Sequence, residues 1–232
     1  MKLGELAFAC YIFGLMSDYD NSYRLFLESI RPKIDLCSNA HLMVLLKWLN
    51  AWGCRQFAIV NHELAANEIK DWYGEFNQYL PSAEATVLTL TEEDFSKIER
   101  AYAGLVEKTA SYRKLSGERI SKETVGPTGT AKILFAIQPN VFIPWDGAMR
   151  AKFALDGSNH SYSVFLRKVR NDLEEIDREC KQNNFELKDL PTKLGRPDSS
   201  ITKLIDEYHW VTITRRCSTP NKEELKTWMD WS

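Results

Sequence analysis

A chain of 232 residues, 44% of them hydrophobic, is long enough to bury its own core without disulfide staples, as one large domain or two small ones. The five cysteines, Cys10, Cys37, Cys54, Cys180 and Cys217, form no C-x-x-C pair, and the four histidines are equally scattered, which argues against a zinc site or a disulfide framework and fits a reducing cytoplasm. The net charge of −2 excludes a uniformly basic or acidic chain, so any polyanion-binding surface has to be local.

Taken in chain order, the pattern is mainly helical. The apolar run 6–16 has the look of a secretory leader. Glu5 precedes it, Lys2 is the one basic residue there and no small-x-small site follows, so residues 3–16 are expected to be a buried helix. No run is long enough to span a membrane. Leu42, Leu45, Leu46, Leu49 and Trp52 recur at helical spacing, with Gly53 as a stop. The β-branched cluster at 86–90 reads as extended. Thr91 then caps a helix with Glu92, Glu93 and Asp94 in its first turn and Leu90 and Phe95 as a staple; this helix is predicted to run to about Leu115. Tyr162, Phe165, Leu166, Val169, Leu173 and Ile176 mark a long amphipathic helix. Residues 183–197, with Pro191, Gly195 and Pro197, read as a surface loop. Asp198, Ser199 and Ser200 cap a helix that runs to about Trp210. A second extended piece is expected at 211–214, and a short helix at 219–232 anchored by Trp228 and Trp231.

Charge is unevenly distributed. Residues 108–170 hold eleven Lys/Arg against four acids, a net +7, between flanks of −6 and −3. A basic middle between acidic flanks is the pattern of a polyanion-binding face, although helices also carry charge on solvated faces by chance. Inside it, Gly126-Pro127-Thr128-Gly129-Thr130 is a glycine-rich turn opening an apolar helix, and Val141-Phe142-Ile143-Pro144-Trp145-Asp146 leads to an acid at the mouth of the next helix. Backbone N–H groups at such a turn suit a phosphate. A carboxylate fixed beside a sugar C1′ stabilises an oxocarbenium-like charge and orients water. Each feature also has a bland reading: Asp146 as a helix cap, Gly126-Pro127 as a turn, Trp145 as core, and Lys132 and Arg150 as solvated or paired charges.

Segment 126–146 resembles the helix-hairpin-helix DNA glycosylase superfamily, in particular its alkylpurine and 8-oxoguanine glycosylases, which carry a glycine hairpin, an apolar helix and a Pro-x-Asp lead-in. The likeness covers about 30 residues, 125–153. It implies an all-α, glycosylase-like bundle over 1–232 with at most minor strands, as one domain or two helical lobes, with the catalytic segment at about 108–170. Bifunctional members carry a lysine nucleophile one or two places after the second glycine; here those places hold Thr130 and Ala131, and Lys132 falls one step later. The resemblance therefore implies a monofunctional enzyme with Asp146 catalytic and Lys132 the lesser candidate. Read from the residues themselves, DNA-backbone contacts are expected from Gly126, Thr128, Gly129, Thr130, Lys132, Arg150 and Lys114, and a base pocket from Trp145, Trp52 and Tyr112. No metal or cofactor is implied beyond a monovalent cation at the hairpin, where Pro127 and Thr128 depart from the usual single residue between the glycines.

The expected partner is double-stranded DNA, bound by a monomer, and the expected product an abasic site. Divergence from the housekeeping repair pattern points to a specialised target, such as a hypermodified cytosine (glucosylated hydroxymethylcytosine) in phage DNA. The alternatives are a non-catalytic helix-hairpin-helix DNA-binding module and a helical protein-interaction domain.

Overall fold

The computed structural model describes residues 1–114, 120–221 and 224–225. The expectation for Trp228 and Trp231 lies outside them. Ten α-helices and one two-stranded antiparallel sheet make up the described chain, so the fold is mainly α with minor strands.

Helix α1 (Leu3–Met16) is the apolar run read from the sequence; it buries Leu3, Leu6, Ala9, Cys10 and Phe13. Helices α2 (Tyr19–Ser29) and α3 (Asn39–Ala51) follow, the latter capped by Ser38 and stopped at Gly53, whose φ is +81°. Helix α4 (His62–Phe76) packs on α3 and on α5 (Glu92–Val106). Trp72, fully buried on α4, donates its indole N–H to the Ala101 carbonyl of α5 at 2.9 Å. The start of α5 is as read: the Thr91 hydroxyl accepts from the Asp94 N–H, the Asp94 carboxylate accepts from the Thr91 N–H at 2.8 Å, and Leu90 and Phe95 are buried.

Its end is not as read. Instead of continuing to Leu115, α5 stops at Val106, and β1 (Thr109–Lys114) pairs with β2 (Ile120–Thr124). The Val125 N–H bonds the Lys108 carbonyl at 2.8 Å and closes the base of this hairpin. Cross-strand pairing, a long-range term, overrides the local helical pattern here. Two other expectations change in the opposite direction, from extended to helical. Residues 87–89 form a 3-10 turn held by the Thr86 N–H on Thr89 Oγ1, and residues 210–214 continue the preceding helix as a wide π turn. The surface stretch 183–197 contains a 3-10 turn and the one-turn helix α9 (Leu190–Lys193).

Helix α6 (Gly126–Ile137) lies against α3 and α5; α7 (Gly147–Lys152) is short; α8 (Asn159–Gln182) is capped by Ser158 and packs on α5. Helix α10 (Ile201–His209), capped by Ser200, packs on α1. One consequence governs the site. The α1–α10 pair packs residues 3–16 against residues 201–209, and the π turn after α10 rests on α7.

Most of the buried side chains form one core. Trp145, Tyr102, Tyr162 and Phe165 form an aromatic cluster inside it, with Trp145 edge-on to Tyr162 at 5.0 Å. Among the described residues no helix is long and apolar enough to cross a membrane.

Candidate active site

The glycine turn opens α6 two residues earlier than Thr128, at Gly126, where φ is +64° and Pro127 takes the first turn. That left-handed conformation favours glycine. Gly129 is required for a different reason: a Cβ there would lie 2.8 Å from Gln56 Nε2, which donates to the Val125 carbonyl. The connection between α5 and α6 is the β-hairpin, not a short glycine loop, which corrects the hairpin geometry the resemblance implies. The Pro127 carbonyl accepts from the Trp145 indole at 3.1 Å and from the Tyr102 hydroxyl at 3.3 Å, a hydroxyl shared with the Gly157 carbonyl at 3.2 Å.

Asp146 is the N-cap of α7. Its Oδ1 accepts from the Met149 N–H at 2.8 Å, and its Oδ2 accepts the Thr214 hydroxyl at 2.6 Å. The capping reading is therefore correct, and it leaves the carboxylate rigidly placed at a cavity wall. Trp145 is 1% exposed and belongs to the core, yet one part of it also lines that cavity. Lys132 is half-buried; its ammonium donates to the Trp52 carbonyl and lies 5.6 Å from the Trp52 ring centroid. The Trp52 indole in turn donates to the Tyr19 carbonyl and Ser22 hydroxyl at 3.2 and 3.0 Å.

The cavity has a volume of about 240 Å³, the scale of a single planar ring system. It brings together five sequence candidates, Trp52, Thr128, Lys132, Trp145 and Asp146, from three separate stretches of the fold. It adds Phe13, Tyr19 and Trp210 as aromatic wall and Asp206 and Thr214 as polar lining. Other candidates stand elsewhere. Tyr112 is 49% exposed on β1, where its N–H bonds Asn61, and it does not line the cavity. Thr130 is fully buried, and its hydroxyl has no partner among the described residues, so it cannot meet a DNA backbone. Gly129 is buried as well, whereas Gly126 and Thr128 reach the surface. Arg150 holds the Thr128 hydroxyl at 3.0 Å and stacks 5.4 Å from the Trp145 ring centroid; Lys114 is exposed at the end of β1.

Asp206 is the residue that sequence reasoning missed. It is 7% exposed, and among the described residues none donates a hydrogen bond to its carboxyl. Burial, opposed by Lys203 and Lys132 and reinforced by Glu207 and Asp146, raises its pKa to about 7. Next to it, Lys203 reaches Glu207 at 2.6 Å and Asp20 at 3.0 Å, and Arg196 bridges the same two acids. Burial pulls the Lys203 pKa down, but attraction to Glu207 and Asp20 outweighs it, and the net direction is up. In the sequence 201–210, Lys203, Asp206 and Glu207 look like ordinary solvated charges. Only the packing of α1, Asp20 and Arg196 around α10 buries them.

Two carboxyls thus face one aromatic cavity, one fixed by two hydrogen bonds and one retaining its proton up to about neutral pH. Such a pair suits acid–base chemistry on a bound ring. A second cavity, about 460 Å³, opens at Val87, Leu88, Leu173, Leu187 and Ile201 and contains none of the sequence candidates. Compared with known proteins, the chain matches no family model, no curated protein and no solved structure.

Proposed function

We propose that this chain is a monofunctional DNA glycosylase that flips a base into the aromatic cavity and hydrolyses its N-glycosidic bond. The observation that carries the reading is the convergence of Asp146, Lys132, Trp52 and Trp145 on one cavity of base size. Trp52 and Tyr19 line the cavity in which a base would sit, Asp146 would face the sugar cation and orient water, and the half-buried start of α6 with Arg150 and Lys114 would hold backbone phosphates. The basic segment supports double-stranded DNA as the partner; the reading takes the chain to act as a cytoplasmic monomer. A hypermodified cytosine in phage DNA is the proposed target class, on the grounds of the departures at Pro127, Thr128 and Thr130, with the pyrimidine ring in the cavity and its sugar substituent outside it.

The test is base release. The chain and Asp146→Asn are incubated with alkylated DNA, 8-oxoguanine duplexes and phage DNA carrying glucosylated hydroxymethylcytosine, then treated with alkali and run on a gel. Alkali-sensitive breaks from the wild type alone are expected. Breaks without alkali would assign the chemistry to Lys132. No breaks, with duplex binding retained, would favour the second reading, a DNA-binding module. The observation on that side is that both oxygens of Asp146 are already engaged in fixing α7.

A further inference from the structure

We propose that Asp206 is a second catalytic carboxyl of this cavity, the acid that protonates the departing base while Asp146 faces the sugar. The assignment rests on the base-release reading above and adds a residue that the resemblance does not supply.

Geometry carries it. Asp206 lines the same cavity as Asp146, is more than nine-tenths buried, and receives no hydrogen bond from any described residue. The neighbouring buried charges are already matched: Lys203 and Arg196 with Asp20 and Glu207 form a closed quartet of two cations and two anions. Asp206 stands outside that quartet as an unmatched acid at the cavity surface. The charged and titratable groups around it are Lys203 and Glu207 on α10, Lys132 on α6, Asp146 before α7 and Tyr23 on α2. Burial among them holds its pKa at about 7, so a proton is available at neutral pH. Two acids in one site, with environments that separate their roles, are the arrangement that glycosidic cleavage uses.

The step balances. As the C1′–N bond breaks, both its electrons stay with the base, and the Asp206 proton neutralises the negative charge that develops there. The Asp146 carboxylate faces the sugar cation. A water adds to C1′ through its oxygen and gives a proton to Asp146. That proton returns through solvent to the Asp206 carboxylate. One water is consumed, free base and an abasic site are formed, and both carboxyls are restored.

Two probes separate this assignment from the reading beneath it. The first is a duplex with a pyrrolidine abasic-site analogue, whose ring ammonium mimics the sugar cation and which carries no base. Wild type is expected to bind it at least about tenfold more tightly than plain duplex. Asp146→Asn loses that preference; Asp206→Asn keeps it within about twofold, since no base is present to protonate. The second probe is single-turnover base release, across about pH 5 to 9, from the DNA that wild type cleaves. Asp206→Asn is expected to slow release by about 100-fold or more and to abolish the decline above about pH 7, and Asp206→Glu to restore part of the rate. Base release by Asp206→Asn at the wild-type rate and pH profile overturns the assignment and leaves Asp146 standing. Loss of the pyrrolidine preference in Asp206→Asn equal to that in Asp146→Asn also overturns it, because it marks Asp206 as a support for the site. A wild type that neither releases base nor prefers the pyrrolidine duplex overturns the base-release reading, and this assignment with it.

Discussion

Thr214 donates its hydroxyl to Asp146 at 2.6 Å, across 68 positions of sequence. That bond ties the π turn after α10 to the mouth of α7, and with it the C-terminal part of the described chain to the acid singled out in its middle. Asp146 is therefore at once a helix cap, a clasp between two elements and a cavity wall.

Two substitutions at Asp146 separate these roles. Asparagine caps a helix about as well as aspartate and can still pair with Thr214, so Asp146→Asn should lie within about 0.5 kcal/mol of wild type in stability. Asp146→Ala loses the cap and strands the Thr214 hydroxyl, for a cost of about 2–3 kcal/mol. Denaturant unfolding of the two variants measures the difference. Base release should be abolished in both, because the charge is lost in both.

Asp206 predicts a pH signature in stability as well as in rate. Its folded pKa, about 7, lies above its ordinary value of 3.8, so the stabilisation is complete below about pH 4 and is lost as pH rises to about 7. Asp206→Asn should therefore melt above wild type at about pH 8. The gap should shrink by on the order of 3–4 kcal/mol toward pH 4. A gap that does not change with pH would contradict the burial-driven shift.

His209 has the opposite sign. It is 2% exposed, lies 5.5 and 5.7 Å from the rings of Phe153 and Phe165, and its Nδ1 has no partner among the described residues. Burial, with smaller contributions from Lys168 and the N-terminal amine, lowers its pKa to about 3. Its stabilisation is present above about pH 6.5 and is lost as pH falls toward 3. His209→Phe should flatten that acid limb by up to about 1.4 kcal/mol per pH unit, read as the variant-minus-wild-type difference in thermal unfolding.

The two glycines of the turn should fail for different reasons. Gly126→Ala meets empty space but a φ of +64°, for about 1–2 kcal/mol. Gly129→Ala meets Gln56 Nε2 at 2.8 Å and Val125 Cγ1 at 3.1 Å, for about 1–3 kcal/mol. Adding Gln56→Ala to Gly129→Ala removes the closest of these contacts, so the combined loss should be less than the sum of the two, whereas Gln56→Ala should add fully to Gly126→Ala.

Elements with strong local patterns were legible in the sequence: the apolar helix at 3–16, the Leu42–Trp52 periodicity, the capping box at Thr91, the 24-residue α8 and the acid at the mouth of α7. Propensity, capping and hydrophobic spacing act over a few residues, so a single chain displays them directly. The β-hairpin was not legible, because β2 (Ile-Ser-Lys-Glu-Thr) has no alternating apolar face and exists through pairing with β1. The pocket was legible in part. Asp146, Lys132, Trp145 and Trp52 were nameable from spacing and chemistry, but Tyr112 was not separable from them by sequence, and Asp206 was indistinguishable from a solvated charge. Burial is a property of what packs around a residue. For Asp206 the decision lies with α1 and α2, distant in sequence, and with Arg196 just before α10, which close over α10 and turn an ordinary surface acid into an unmatched carboxyl at a cavity wall.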